Sequence, residues 1–461
     1  MVPVTRTPAM NAEDLKAAIP ELERFHQRFA RFFCRTEGRA ASQRYLTGLM
    51  LPIERKNVEN VAEQVGVPIR RLQEFLSDSP WDDEGCIDEL QRFVGEHLGT
   101  KSGVLILDDT GFAKKGTHSA GVGRQYSGTL GRRDNCQVGV FLAYASSKGH
   151  TLVDRRLYLL KEWFTEEAAA RWRRAAIPEG LEFRTKLDLG AEMVREAYQA
   201  GHLPFQWVTG DAAYGDSHDL RSLVTELERW YCFEVSSNTD VWAADPAWEV
   251  PPRRGTHAGR LTTRKRPTTA SPRSMTVAEL TVTLNPQAWV RHRVTEGAKG
   301  PREYEFARVR VIEKRHRQPG PEGWLMLRRP VGGGEVKYYL SNAPASMALE
   351  KMAWTGCLRW TIEENFELAK GETGLDHYEV TKLRGWYHHI TLSLLALAFM
   401  KAVQRSWGKK IRVYQRPGGA PAARGGTASS AVGPGDRPRL AARPTPAQGG
   451  SLRIPSSPLA A

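Results

Sequence analysis

The spacing of apolar residues changes several times along the chain, and each change marks a different kind of element. Residues 12–100 carry apolar positions at helical spacing. In Glu21–Phe33 the side chains of Leu22, Phe25, Phe29, Phe32 and Phe33 fall on one face, with Arg and His on the other. Asn57–Pro68 reads as a helix stopped by Gly66, and Ile69–Leu76 resumes a helix that carries Arg70, Arg71 and Gln73. Helix, glycine turn and polar-basic helix form the outline of a helix-turn-helix, an outline that many helical bundles share. Arg70 and Arg71 are its candidate DNA contacts. From 101 to 236 the pattern shortens. Val104–Leu107 is an apolar run ending in Asp108-Asp109-Thr110-Gly111, as a buried strand would. Gln137–Ser146 and Thr151–Leu160 predict two more strands around Lys148-Gly149. Thr165–Ala176 and Lys186–Ala200 predict helices, the second stopped by Gly201. Phe205–Thr209 predicts a strand ending in Gly210-Asp211, Ser217–Arg229 a helix and Trp230–Ser236 a strand. This order predicts a mixed sheet flanked by helices.

Residues 237–345 interrupt the α/β pattern. Pro251–Arg273 is rich in Pro, Thr and Arg and has no acidic residue. Such a run is a solvated loop or an arm that tracks phosphates, with Arg264, Lys265 and Arg266 at its centre. Alternating segments at Leu280–Leu284, Glu303–Ile312, Trp324–Leu327 and Val336–Leu340 predict a β-rich insertion. Helix returns in 346–414. One helix runs from an N-cap at Ser346 to Lys370, before Gly371 and Gly374, and a strongly apolar one spans Trp386–Trp407. After 415 the chain is Pro, Gly, Ala, Ser and Arg, the composition of a disordered basic tail. The expected units are therefore a helical domain (1–100), the first part of an α/β core (101–236), a β-rich insertion (237–345), the helical remainder of the core (346–414) and a tail (415–461).

The formal charge of +14 over 461 residues favours a polyanionic partner, nucleic acid above all. Five scattered cysteines, none in a Cys-x-x-Cys pair, argue against a disulfide framework and a zinc ribbon. The N-terminus lacks an apolar signal core, and the longest apolar run, Ile390–Met400, is too short to cross a bilayer. The expectation is a cytoplasmic, nucleoid-associated protein with no membrane contact.

The richest stretch chemically is Arg359–Lys370. On a helix Arg359, Glu363, Glu367 and Lys370 share one face, while Ile362, Phe366 and Ala369 form the adjacent apolar stripe. Asp109 and Asp211 each end an apolar strand-like run. Taken singly, an Asp after a strand is a turn former or helix cap, and a helical Glu is a surface residue. Together, two strand-end carboxylates and one helix carboxylate can meet at one rim of a sheet. Three carboxylates that close need a cation to stay ionised. Mg²⁺ suits them, because it takes one or two carboxylates with water and phosphate oxygens. Two such ions would serve phosphodiester cleavage, and Arg359 and Lys370 would hold the phosphodiester.

Three stretches carry a family resemblance: Leu105-Ile106-Leu107-Asp108-Asp109-Thr110, Trp207-Val208-Thr209-Gly210-Asp211-Ala212-Ala213-Tyr214, and Arg359-x3-Glu363-x6-Lys370. Together they resemble the bacterial insertion-sequence transposases of the DDE class, in the branch with a β-strand insertion before the Glu. Thr117–Tyr126 and Gly374–Val380 resemble one subgroup of these enzymes. The resemblance spans roughly residues 20–405. It implies a ribonuclease-H-like core and Mg²⁺ dependence, with Mn²⁺ as a substitute. It also implies cut-and-paste transfer of double-stranded DNA, from element terminal repeats to target DNA, by a homo-oligomer assembled on paired ends. Asp109, Asp211 and Glu363 then take the three metal-binding roles. Asp108 rivals Asp109, since strand alternation sends the two to opposite faces. Glu364 and Glu367 rival Glu363. The family's Tyr three residues before the Arg is Gly356 here. A P-loop is excluded because Thr117-His118 follows Gly111-x4-Gly116, and neither Gly-x-Ser-x-Gly nor His-Glu-x-x-His occurs. His388-His389 is read as a surface or capping pair rather than a metal site. The alternative to an active transposase is a catalytically idle descendant that only binds DNA. A nuclease that cuts without joining is a third reading.

Overall fold

The computed structural model describes residues 18–129, 131–250, 266–297, 300–316 and 318–408, all within one compact unit. The expected tail after 415 lies outside the described residues, as do Arg264 and Lys265. Five helices open this part of the chain: α1 (Ile19–Gln27), α2 (Thr36–Met50), α3 (Val58–Gln64), α4 (Ile69–Ser77) and α5 (Asp83–Leu98). Asn57 caps α3 by accepting from Asn60 N. Gly66 turns the chain with φ +66°, and Val67 N donates to Ala62 O, which closes the helix end. Helix α4 buries Leu72, Phe75 and Leu76 and leaves Arg70 and Arg71 exposed, with Arg70 paired to Glu74 at 2.8 Å.

The first sheet contains β1 (Val104–Ala113), β2 (Gly123–Ser127), β3 (Arg132–Ser146) and β4 (Gly149–Tyr158). After α6 (Ala169–Arg174) and α7 (Lys186–Ala200) come β5 (Trp207–Gly210), α8 (Ala212–Gly215), α9 (His218–Glu226) and β6 (Trp230–Tyr231). Strand β1 lies between antiparallel β3 and parallel β5, and β6 adds to β5 in parallel. Strands β4 and β2 follow one another along the far edge of β3. Leu105, Ile106 and Leu107 are fully buried, as a central strand covered on both faces requires. Gly201, at φ +67°, ends α7 where expected.

The expected strand Trp230–Ser236 divides at Cys232. Its second half is β7 (Phe233–Val235), which leaves the first sheet and pairs with β15 of the second. That antiparallel sheet contains β7, β8 (Asp240–Trp242), β11 (Met275–Thr276), β12 (Val290–Gly297), β13 (Gly300–Arg315), β14 (Gln318–Pro330) and β15 (Lys337–Ser341). A ribbon of β9 (Trp248–Glu249) and β10 (Arg266–Pro267) stands apart, so Arg266 is in a strand. Leu280–Leu284, expected as a strand, begins instead inside α10 (Val277–Val282). The reason is the capping box of Thr276 and Glu279, a start signal that outweighs the short alternation.

The expected helix from Ser346 to Lys370 is two helices, α11 (Leu349–Cys357) and α12 (Trp360–Glu372). Ala348 rather than Ser346 occupies the N-cap. Arg359 keeps helical angles at the junction, so the face it shares with Glu363 survives the break. The last helix, α13 (Leu383–Trp407), is buried along most of its length. Of the surface and capping roles expected for His388 and His389, the surface role is corrected: both are buried on α13, which is covered along most of its length, while His388 caps a last-turn carbonyl of α4. His388 Nδ1 lies 2.8 Å from Leu76 O, and His389 Nε2 lies 2.9 Å from Gly374 O, with Tyr45 Oη at its Nδ1. No helix among the described residues is long and apolar enough to cross a membrane.

A salt-bridge cluster joins the opening helices to the sheet. Arg155 of β4 is fully buried. It bonds Asp83 and Glu84 of α5, Asp154, and Thr391 of α13. Arg156 pairs with Asp154 at 2.8 Å and reaches Glu196 of α7.

Candidate active site

The paired carboxylates of β1 part as strand geometry dictates. Asp108, Thr110 and Phe112 face α12. Asp108 Oδ2 lies 3.5 Å from Arg359 Nη1, and Thr110 Oγ1 accepts from Lys370 Nζ at 2.8 Å. Leu107 and Asp109 face α7. A Cβ placed at Gly190 would lie 3.3 Å from Leu107 Cδ1, and Asp109 Oδ2 is 3.0 Å from Lys186 Nζ.

Leu107 is in register with Gly210 on parallel β5, so the next residues, Asp108 and Asp211, come level where β5 ends, midway along β1, which continues to Ala113 rather than stopping at the carboxylates. Asp211 is the N-cap of α8, its Oδ1 accepting from Ala213 N and Tyr214 N. The capping role is therefore real, and it leaves Oδ2 outside the cap. Burial raises the Asp211 carboxyl, against the backbone bond from Tyr214 and the Arg359 charge, with Asp109 adding to the rise. Asp108 is lifted to about 8, first by burial and then by Asp211 and Asp109, while Arg359 opposes the shift. Burial outweighs the pull of the guanidinium, and the two neighbouring carboxylates add to it.

Glu363 is half-exposed and pairs with Arg359 Nη2 at 2.8 Å. Its neighbour Glu364 turns toward His150 and Lys401, each 3.8 Å away. Glu367 is exposed on the Glu363 face. A carboxylate that sequence reasoning missed is Glu234 of β7, whose Oε2 lies 3.8 Å from Arg359 Nε. No sequence signal marks it, because only the departure of β7 from the first sheet brings it to Arg359. Lys370 is half-buried and spends its ammonium on Thr110, Gly111 O and Thr129, and burial lowers its pKa.

Val294, Tyr304, Arg328, Cys357, Trp360 and Glu363 line a cleft between the insertion and the start of α12. Gly356 also borders it. A Cβ there would meet Met326 Cε at 3.0 Å and the Tyr339 ring at 3.3 Å, so any side chain at this position must push one of them aside by a few tenths of an ångström.

The oxygen donor set suits a hard divalent cation. Among the described residues no three such side chains yet form a ligand cluster. Lys186 and Arg359 pair with the carboxylates instead, and a cation would have to displace them.

The class of protein follows from comparison. Residues 24–301 match the DDE superfamily endonuclease family, more than half of the chain, and the chain belongs to that family. The matched span includes Asp108, Asp109 and Asp211 and ends before Glu363. Endonucleases of this superfamily generally use divalent metal ions.

A particular relative is the probable transposase for insertion sequence element IS701 of Microchaete diplosiphon, 31% identical over 193 residues. That match covers 41% of this chain and 47% of the relative, so the chain spans about half the length of the curated protein it matches. A solved piggyBac transposase synaptic complex with hairpin DNA aligns over 86% of this chain and 74% of its own, at 11% identity and a TM-score of 0.33. A likeness that slight carries no argument.

Proposed function

We propose that the chain is a DDE transposase that cleaves DNA at insertion-sequence ends and joins the freed 3′ end to target DNA. The observation that carries this reading is the convergence of Asp108 and Glu363 on Arg359, with Asp211 level with Asp108 on the neighbouring strand, in a member of the DDE superfamily endonucleases. The strand order β4-β3-β1-β5-β6, with β1, β5 and β6 parallel and β3 antiparallel, supports a ribonuclease-H-like core. Asp211, Glu363 and one carboxylate of the Asp108–Asp109 pair would hold Mg²⁺, which Mn²⁺ replaces. The motif's spacing gives the third role to Asp109. The geometry favours Asp108, because it shares the α12 face with Arg359 and Lys370, whereas Asp109 pairs with Lys186. When bound, Mg²⁺ supplies positive charge to the phosphodiester and activates the attacking oxygen. Arg359 is placed to exchange its carboxylate partners for a phosphate oxygen, and Lys370 holds the end of β1 against α12. Exposed Arg70 and Arg71 on α4 are candidate contacts to the duplex, along with the 264–266 run.

The test is Mg²⁺-dependent cleavage of a duplex carrying the element's own end. Asp211→Asn and Glu363→Gln should abolish cleavage and retain binding. Asp108→Asn and Asp109→Asn in parallel decide between the two strand carboxylates. Tight binding by the unaltered chain with no cleavage under any divalent metal would instead favour the idle DNA-binding descendant.

A further inference from the structure

The hairpin of β2 and β3 is not used by the site described above, and its outer face has an unusual composition. Tyr126 is 61% exposed, and Arg124 and Arg133 beside it are exposed as well. The register sets Tyr126 opposite Arg133, with Arg124 two residues along the same strand, so all three side chains share one face. Gln125 and Ser127 point inward, Gln125 donating to Cys136 O. Arg132 is paired with Asp134, but no salt bridge among the described residues engages Arg124 or Arg133.

The hairpin is also anchored to the candidate site. Thr129 in its turn lies 3.1 Å from Lys370 Nζ and 3.2 Å from Thr110 Oγ1. Ser127 packs against Gly111 closely enough that a Cβ there would overlap its hydroxyl. Thr110 stands two residues beyond Asp108 on the same face of β1, about 7 Å along the strand. Helix α12 therefore links two surfaces. Its Arg359 end opens on the cleft of the insertion, and its Lys370 end meets the hairpin.

We propose that the β2–β3 hairpin grips the DNA duplex on the side of the scissile phosphodiester away from the insertion. Arg124 and Arg133 each neutralise a backbone phosphate, and the Tyr126 ring packs on the sugar between them. The occupant is the duplex being cut, in its flank, and not a separate target molecule. Two exposed guanidinium groups outside any salt bridge among the described residues, an exposed aromatic ring and a direct hydrogen-bonded connection to Lys370 and Thr110 carry this assignment. It rests on the proposed DNA chemistry for the identity of its partner, but it involves none of the carboxylates.

The experiment measures binding of the full chain in EDTA to a duplex spanning the junction of element end and flank, across a salt series. Matching measurements use a duplex truncated at the cut and an unrelated target duplex. Arg124→Gln with Arg133→Gln should lower the salt slope on the spanning duplex by about two, one for each phosphate left without its arginine. Tyr126→Ala should weaken binding and leave the slope in place. On the truncated duplex these variants should match the unaltered chain. An unchanged slope on the spanning duplex overturns the proposal, as does a deficit that persists on the truncated duplex or appears only on target DNA. Failure of the transposase reading looks different: the slope change is present and metal-dependent cleavage is absent. All three side chains are exposed, so thermal unfolding should not move, and a lowered midpoint with an unchanged slope counts against the hairpin role.

Discussion

Mild acid should loosen this protein through three buried imidazoles. His26, His388 and His389 are almost fully enclosed. Burial lowers His26 from 6.5 to about 4, and His388 and His389 to about 3. Their folded pKa values lie below the unfolded one, so the stability they contribute is complete above 6.5 and falls as pH drops toward the folded values. Between about pH 6 and 5 each ring kept neutral costs about 1 kcal/mol, about 3–4 kcal/mol for the three. Asp108 pulls the other way. Its carboxyl is held at about 8 against an ordinary 3.8, so it favours the folded state as pH falls, by about 1.4 kcal/mol over the same interval. Asp211, Asp83 and Asp154, whose carboxyls burial also raises, act in the same sense as Asp108, so the net fall is smaller than the three imidazoles alone would give. His150, lowered by burial to about 3, acts in the same sense as the three imidazoles. The assay is urea unfolding followed by tryptophan fluorescence, in EDTA, at several pH values. The midpoint should fall across this interval, and His389→Gln should flatten the slope by about one proton. A midpoint that stays level, or a variant that titrates like the unaltered chain, would refute the reasoning.

Other outcomes follow from packing. Arg155→Met strips the half-buried Asp83 and the buried Asp154 of a partner and should cost about 3–5 kcal/mol, read as a lowered unfolding midpoint. Gly215→Ala sets a methyl group against the Glu234 carbonyl oxygen, so α8 must shift away from β7. Because Asp211 caps α8 and Glu234 lies on β7, cleavage should fall by more than DNA binding does, and equal loss of both would argue for general unfolding instead. Arg359→Gln leaves Asp108 and Glu363 without their shared cation, and it should reduce strand cleavage and lower the salt slope of end binding by about one.

Much of this architecture can be read from residue order, for identifiable reasons. The run Val104–Leu107 is central because no polar residue interrupts it, and its burial is complete. Asn57, Gly66 and Gly201 act where their side chains or φ angles dictate. Strand β2 escapes such reading. Its inward residues, Gln125 and Ser127, are as polar as its outward ones, so no alternation marks it. The break before Arg359 is equally silent, because Leu358 and Arg359 are both good helix formers. Glu234 and the Lys186–Asp109 pair depend on contacts between distant segments. The helical spacing of Arg359 and Glu363 did foretell their pairing, and strand alternation foretold that Asp108 and Asp109 part, but the spacing named Asp109 where Asp108 is the one beside Arg359.

The pairing of β7 with β15 also bears on how the chain finds this arrangement. Asp108 and Arg359 are 251 positions apart, and a contact between such distant residues forms slowly if the intervening chain must be ordered at random. The second sheet removes most of that delay. Once it has folded, its first and last strands lie side by side, and the long detour between Asp211 and Glu363 behaves as a short tether. Lengthening the detour at its far end, between β9 and β10, should therefore leave the rate of refolding nearly unchanged. Prising β7 from β15 should slow it sharply.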